Sequence, residues 1–222
     1  MFVLDKSKFF DKVLINAEDF INVWRKYYNY VVKDENGKDI LYIEDLNLNN
    51  NLTEQNIKRL LRWKDPHMLT EKIQSGKNEG SNNKKVEEVL KNFKNINDFR
   101  FGKISEDDFK GVTENIFKTG IVWRIFLFHI SRPLEYPIAD QNVFRVFFLL
   151  NDIKKDPTKA KWEDYIEYKK FFFDIAKYAG ITDYELQGNE KNIRNIVERL
   201  KKVDDALFEF GKFLKKYNID RP

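Results

Sequence analysis

Apolar residues recur along most of this chain at intervals of three and four, which is the spacing of one face of an α-helix. Residues 18–33 follow this pattern and predict an amphipathic helix, with an apolar face formed by Ile21, Trp24, Tyr28 and Val31. Further helices are predicted over 53–64 and 105–117, where Thr53 and Ser105 are expected N-caps. The same spacing predicts helices over 86–93 and over 158–178, the latter with a C-cap at Gly180. Residues 190–216 are predicted to form either one helix, with Gly211 as the place where it could bend, or a helix pair. Only residues 40–43 suggest a short strand or an extended linker.

Two segments, 120–131 and 141–151, are apolar almost all the way round. A helix of this kind is expected to be buried. The pattern therefore predicts an all-α fold in which this central helix pair is packed between the N-terminal and C-terminal helices. We expect one unit over 1–222, with an alternative division into two lobes, 1–104 with 152–222 and 105–151. Residues 75–85 are polar and rich in glycine and lysine, which is typical of a mobile loop.

The composition supports a large core and excludes several kinds of site. The chain has 222 residues, 42% of them hydrophobic, and includes 20 Phe and 10 Tyr, enough apolar area for a globular unit. It has no cysteine, which excludes disulfides, thiolate zinc sites, iron–sulfur clusters and cysteine nucleophiles. With two histidines and no suitable spacing of carboxylates, we expect neither a metal site nor a cofactor.

The charge and hydropathy patterns indicate a soluble protein. The net charge of +4 permits nucleic-acid binding without requiring it. The apolar stretches 121–130 and 143–150 are far shorter than the roughly 20 residues of a membrane span. The N-terminal residues carry early charges and no long apolar run, so we expect no signal peptide. The expected location is the cytoplasm, in association with the nucleoid if this is a bacterial DNA enzyme.

One acid stands out from this pattern. Asp140 lies between a proline turn and the apolar helix 141–151, in the sequence Tyr-Pro-Ile-Ala-Asp-Gln-Asn-Val-Phe-Arg that ends at Arg145. An acid placed beside a core is costly unless it has a partner or a chemical role. Two compatible interpretations follow: Asp140 is an N-cap for the helix, or it is also a catalytic carboxylate. Arg145 is interpreted as a structural residue, with a direct DNA contact as the alternative.

This segment resembles the stretch around the catalytic aspartate of helix-hairpin-helix DNA glycosylases, and its sequence is most similar to that of adenine DNA glycosylases. The family pattern runs from a proline through an aliphatic residue to the aspartate, followed by a valine and an arginine. The positions that meet it here are Pro137, Ile138, Asp140, Val143 and Arg145. The resemblance covers roughly residues 105–151 and implies a helix-hairpin-helix glycosylase-like bundle.

About twenty residues before its aspartate, the family carries a Gly-x-Gly hairpin that opens a helix. Gly120 lies at the position of the second glycine, and Lys118 replaces the first. Bifunctional members carry a Schiff-base lysine two residues after the second glycine, where this chain has Val122. The resemblance therefore implies a monofunctional enzyme, and the absence of cysteine excludes the iron–sulfur loop that some members have.

The resemblance also implies the roles of particular residues. Asp140 would be the catalytic carboxylate that stabilises positive charge on the deoxyribose ring. The hairpin would bind DNA through the backbone of Gly120 and Ile121, with Lys118 and Arg124 nearby. Independently of the resemblance, Trp123 and His129 are candidates for the pocket around a flipped base. For His129 the favoured interpretation is a hydrogen-bonded core histidine, with pocket lining or proton transfer as the alternatives.

Three functions remain open at the level of sequence. The first is a monofunctional DNA glycosylase-like protein that acts on a damaged or modified base, with duplex DNA as its partner. The second is a DNA-binding module of the same fold without chemistry. The third is an interaction or defence-associated protein that keeps the fold and has lost DNA contact.

Overall fold

A computed structural model of the chain describes residues 16–34, 37–65, 84–186 and 192–219. These residues are mostly helical and none of them belongs to a β-strand, which confirms the all-α class. Among them, Lys33 and Asp39 form an isolated antiparallel bridge. The predicted loop 75–85 lies, except for its last two residues, outside the described residues.

In chain order the described α-helices are α1 (Ala17–Trp24), α2 (Tyr42–Asp45), α3 (Glu54–Lys64), α4 (Lys84–Lys91), α5 (Phe93–Arg100), α6 (Glu106–Ile116), α7 (Ile121–Ser131), α8 (Gln141–Leu150), α9 (Trp162–Tyr178), α10 (Asp183–Leu186) and α11 (Ile193–Lys216). Short 3-10 helices cover Arg25–Tyr27 and Pro157–Lys159.

The chain divides into two compact units. The terminal unit comprises the residues up to Asn29 together with those from Pro133 onward, and the internal unit comprises Tyr30–Arg132. The division falls between α7 and α8. The two strongly apolar helices of the sequence therefore belong to different units, and so do Gly120 and Asp140.

In the terminal unit, α11 packs against both α1 and α8. The ring of Trp24 on α1 lies 4.9 Å from that of Phe210 and 5.2 Å from that of Phe213, centroid to centroid. The ring of Phe147 on α8 lies 5.5 Å from that of Phe171 on α9. Of these rings Phe210, Phe147 and Phe171 are buried, and burial of such apolar side chains stabilises the unit.

In the internal unit, the core includes a cluster of three phenylalanines from α5, α6 and α7. The ring of Phe109 lies 4.3 Å from that of Phe99 and 4.8 Å from that of Phe128. The helices α3 and α6 begin with reciprocal capping boxes, in which Thr53 pairs with Asn56 and Ser105 with Asp108. Both predicted N-caps are confirmed.

Three local predictions from the sequence need correction or refinement. The helix predicted over 18–33 ends at Trp24, and after a 3-10 turn the chain is extended at Tyr28. Val31, expected on its apolar face, is exposed. Residues 40–43 lead into α2 rather than forming a strand. Of the two forms expected for 190–216, a single helix or a helix pair, the structure has a single helix, α11, which runs through Gly211.

The predicted C-cap at Gly180 is confirmed. Gly180 has φ +80°, and the amides of Gly180 and Ile181 donate to the carbonyls of Lys177 and Ala176. This is the Schellman arrangement, which favours glycine because its left-handed backbone has no Cβ to strain.

Candidate active site

The turn that precedes Asp140 is held by two tyrosine hydroxyls from α9. Tyr165 donates to the carbonyl oxygen of Pro137 at 3.0 Å, and Tyr168 donates to that of Ile138 at 3.1 Å. Both tyrosine side chains are fully buried, so these hydrogen bonds replace the water that the carbonyls lost on folding. Sequence reasoning missed both residues, because nothing in the aromatic-rich segment 158–178 distinguishes them from their neighbours.

The hydroxyl of Tyr168 remains a donor over the ordinary pH range. Burial is the largest cause that raises its pKa well above the usual value, and the negative charges of Asp204 and Asp140 add to the effect. A group whose deprotonation is suppressed in this way keeps its hydrogen bond to the turn. The backbone before Asp140 is therefore fixed at neutral and mildly alkaline pH.

Asp140 is the N-cap of α8. Its Oδ1 accepts hydrogen bonds from the backbone N–H of Asn142 at 2.7 Å and of Val143 at 3.1 Å. Its backbone is extended, with φ −146° and ψ −175°, as N-caps usually are. Oδ2 has no hydrogen bond from the part of the chain that the structure describes, and the residue is only partly buried. The two backbone amides thus hold Oδ1 in place, and this also fixes the position of Oδ2.

The start of α8 is also held by a close backbone contact with α11. A Cβ built on Gly211 would lie 2.2 Å from the carbonyl oxygen of Asn142 and 2.6 Å from its carbonyl carbon. Only glycine allows the two backbones to approach so closely at this point. Gly211 is therefore a packing residue that sets the position of the helix start capped by Asp140, a role that the sequence did not reveal.

A largely buried charge cluster lies on α11, about two to three turns before Gly211. The ammonium of Lys201 is 3.0 Å from the Asp204 carboxylate, also bonds Asp205, and lies 4.4 Å from the ring centre of Tyr28. Burial raises the pKa of Asp205 to about 6, although Lys201 opposes the shift. These groups satisfy one another, which is what buried charges require. These contacts give the neighbouring acids Asp204 and Asp205 a structural role.

The predicted hairpin lies in the internal unit, at the start of α7. Gly120 is the N-cap residue and makes no side-chain cap, so the first amides of α7, those of Ile121 and Val122, are not satisfied in that way. Lys118 is exposed, and Ile121 is partly buried. A Cβ on Gly120 would make ordinary contacts of 3.5 Å with Phe117 and Trp123, so this position does not demand glycine.

The two larger side chains of the predicted hairpin pack within the internal unit. Arg124 donates to Glu114 on α6 at 2.8 Å, and its side chain is mostly buried. The Trp123 ring stacks on that of Phe117, with centroids 5.9 Å apart and planes 17° apart. A phosphate would have to compete with Glu114 for the Arg124 guanidinium.

His129 is buried and hydrogen-bonded to the hydroxyl of Tyr42. Its ring also stacks on that of Phe126, 6.3 Å away. These contacts match the core-histidine interpretation that the sequence favoured. Arg145 is likewise buried, and it donates to Asn142 Oδ1 at 3.1 Å within α8, as its structural interpretation anticipated.

The predicted site residues thus form two groups. Asp140 belongs to the terminal unit, whereas the hairpin and pocket candidates, Lys118, Gly120, Ile121, Trp123, Arg124 and His129, all belong to the internal unit. Each group has a defined local geometry. The terminal unit holds the oriented carboxylate, and the internal unit holds a helix start with an exposed lysine beside it.

Within the described ranges, no three histidine or acidic side chains are grouped closely enough to hold a metal ion. No described helix is both long and apolar enough to cross a membrane. Comparison of the chain with models of protein families, with curated proteins and with solved structures found no match.

Proposed function

We propose that this chain is a monofunctional DNA glycosylase-like protein that hydrolyses the N-glycosidic bond of a damaged or modified base. The observation that carries the proposal is the carboxylate of Asp140, which is anchored through Oδ1 to two backbone amides and is partly exposed. The resemblance of the surrounding residues to the catalytic segment of helix-hairpin-helix glycosylases supplies the type of reaction.

The carboxylate would act by electrostatics on the sugar. As the bond from C1′ to the base nitrogen breaks, its electron pair leaves with the base and positive charge develops on the ring. A fixed anion close to C1′ stabilises that charge without having to reorient during the reaction. Water then bonds to C1′ and loses a proton, which Oδ2 is suited to accept or to direct.

The start of α8 holds the Asp140 carboxylate in one orientation. Two backbone N–H groups donate to its Oδ1, and the first turn of the helix lies directly behind it. The buried hydrogen bonds of Tyr165 and Tyr168 to the preceding turn limit movement of the carboxylate. This rigidity suits a group that must keep its place while charge develops beside it.

In this proposal, DNA contact comes from the internal unit. The exposed Lys118 and the backbone amide of Ile121 would bind phosphate, with Arg124 contributing when phosphate displaces Glu114. Extruding the target base costs a few kcal/mol, which stacking in a pocket offsets. The two pocket candidates of the sequence, Trp123 and His129, pack within the internal unit on Phe117 and Tyr42 respectively, so the proposal assigns them no direct contact with the base.

The test is base excision by the full chain. Duplexes that carry uracil, 8-oxoguanine, alkylated or hypermodified bases are incubated with the protein and then treated with alkali, and strand breaks are counted. We expect breaks at one class of base, reduced by about 100-fold or more in Asp140→Asn. Asparagine caps a helix nearly as well as aspartate, so the variant should remain folded.

A matched control is available in Asp156, which caps the 3-10 helix Pro157–Lys159 through Thr158 in the same unit. Asp156→Asn makes the same chemical change at another cap and should retain wild-type excision. Equal loss in both variants, or excision that survives in Asp140→Asn, would contradict the catalytic role. Salt-dependent duplex binding without strand breaks would instead identify a non-catalytic DNA-binding module.

A further inference from the structure

The terminal unit carries a groove that the proposed chemistry does not use. It lies between α1 with its 3-10 extension and the last turns of α11, and its volume is about 820 Å³. This volume falls within the range of ligand-binding clefts, about 300–1,000 Å³. Its lining includes the aromatic side chains of Trp24, Tyr27, Phe213 and Tyr217.

The aromatic side chains of the groove are exposed to an unusual degree. The exposed fractions are 66% for Tyr27, 56% for Tyr217 and 38% for Phe213. They form a continuous series, since the ring of Phe213 lies 5.2 Å from that of Trp24 and 4.7 Å from that of Tyr217. A contiguous apolar patch of this kind commonly marks a binding surface.

The charge on the groove is positive. Lys212, Lys215 and Lys216 line it, and the acid in its lining is Glu209. Glu209 is buried and accepts from Lys212 at 2.8 Å, so its charge is compensated beneath the surface. No described acid forms a salt bridge with Lys215 or Lys216, both of which are exposed. The groove therefore presents exposed aromatic rings together with cationic groups, and the ammonium of Lys216 lies 5.5 Å from the ring centre of Tyr217.

We propose that this groove binds a short stretch of single-stranded DNA. Bases would stack on the exposed rings, and the backbone phosphates would pair with Lys215 and Lys216. This combination of stacking platform and positive charge is how proteins hold single strands without reading sequence. An acidic peptide would use the lysines but leave the ring faces uncovered, so the nucleic acid accounts for more of the surface.

The groove also adjoins the candidate catalytic carboxylate. Asn142 contributes to its lining, and the backbone amide of this same residue donates to Asp140 Oδ1 at 2.7 Å. A strand in the groove would pass close to the start of α8. The binding proposal nevertheless stands apart from catalysis, because it requires no chemistry at Asp140.

The test is fluorescence anisotropy of the full chain with a labelled oligothymidylate of about ten nucleotides, within the usual range of site sizes. Undamaged thymine needs no excision, so the result is independent of the glycosylase proposal. We expect binding that weakens with salt. Tyr217→Ala should weaken it by about fivefold or more, because the loss of one stacked base is expected to have that effect.

A charge variant tests the phosphate contacts. Lys215→Gln combined with Lys216→Gln should weaken binding and reduce the slope of log affinity against log salt by about 1.4, or 0.7 for each phosphate on a single strand. Circular dichroism checks that each variant is folded, which is expected because the altered side chains are exposed.

Matched controls lie in the same unit outside the groove. Tyr178→Ala removes a tyrosine of similar exposure, 61%, and Lys154→Gln with Lys159→Gln removes two exposed lysines; both should bind as the wild type does. The proposal is overturned if the oligonucleotide does not bind, if groove and control variants lose affinity equally, if a polyglutamate peptide of matched length binds equally well, or if the groove variants weaken duplex binding as much as they weaken oligothymidylate binding.

Discussion

The starts of α7 and α8 are alike in sequence and differ in structure. Each opens a strongly apolar helix after a short turn, and each was predicted to be part of one site. Asp140 at the start of α8 is held by its own cap, by buried tyrosine hydroxyls on the preceding turn, and by the close approach of α11 at Gly211. Gly120 at the start of α7 has no side-chain cap and only ordinary contacts around it.

The difference shows which helix start is fixed by its surroundings. Contacts from two other helices converge on the start of α8, so changes in α9 or α11 should affect it even though they lie far along the chain. Neighbours in sequence surround the start of α7, namely Phe117 and Trp123. The comparison predicts large effects of substitutions around Asp140 and small effects at Gly120.

The largest effect is expected for Gly211→Ala. The added Cβ would overlap the backbone of Asn142, which cannot move aside as a side chain could. We expect a loss of about 3 kcal/mol or more in the free energy of unfolding, the upper end of the range for overpacking. Urea denaturation followed by circular dichroism measures it.

Gly111→Ala is the control for that substitution. Gly111 lies in α6, and a Cβ there would meet no atom within 4 Å. This variant should be stabilised by about 0.5–1 kcal/mol, because alanine favours the helix more than glycine does. If Gly211→Ala also stabilises the protein, the backbones of Gly211 and Asn142 are not in the close contact described here.

An intermediate effect is expected for Tyr168→Phe. The substitution keeps the ring and removes the donor to the Ile138 carbonyl, leaving a buried acceptor without its partner. The expected cost is about 1–2 kcal/mol in the free energy of unfolding, again measured by urea denaturation. Tyr178→Phe, at an exposed site on the same helix, should change stability little; similar losses in both would show that the turn does not depend on Tyr168.

The smallest effects separate the two helix starts directly. Asp140→Ala removes a cap that satisfies two amides and should cost about 1 kcal/mol. Gly120→Ala should change stability by less than about 0.5 kcal/mol, because its φ of −95° suits any residue and the new Cβ finds room. Thermal denaturation of both variants measures the two losses of stability. A larger loss for Gly120→Ala than for Asp140→Ala would show that the start of α7, and not that of α8, is the more tightly fixed.

Much of the local structure followed from short-range rules. The caps at Thr53, Ser105 and Asp140 are contacts between residues two or three positions apart, and the turn at Gly180 needs only the backbone freedom of glycine. The prediction over 18–33 was wrong beyond Trp24. The spacing of apolar residues continues past this residue, but the chain forms a 3-10 turn over Arg25–Tyr27 and is extended at Tyr28.

By itself, the sequence determined the all-α class, most helix starts and the placement of one acid at the N-terminus of an apolar helix, because periodicity and capping are local properties. Only the tertiary structure decided what holds that acid. Tyr165 and Tyr168 reach back 28 and 30 residues to the turn, and Gly211 meets Asn142 from a different helix. No local pattern distinguishes these residues from other tyrosines and glycines, since their roles exist only once distant segments of the chain have packed together.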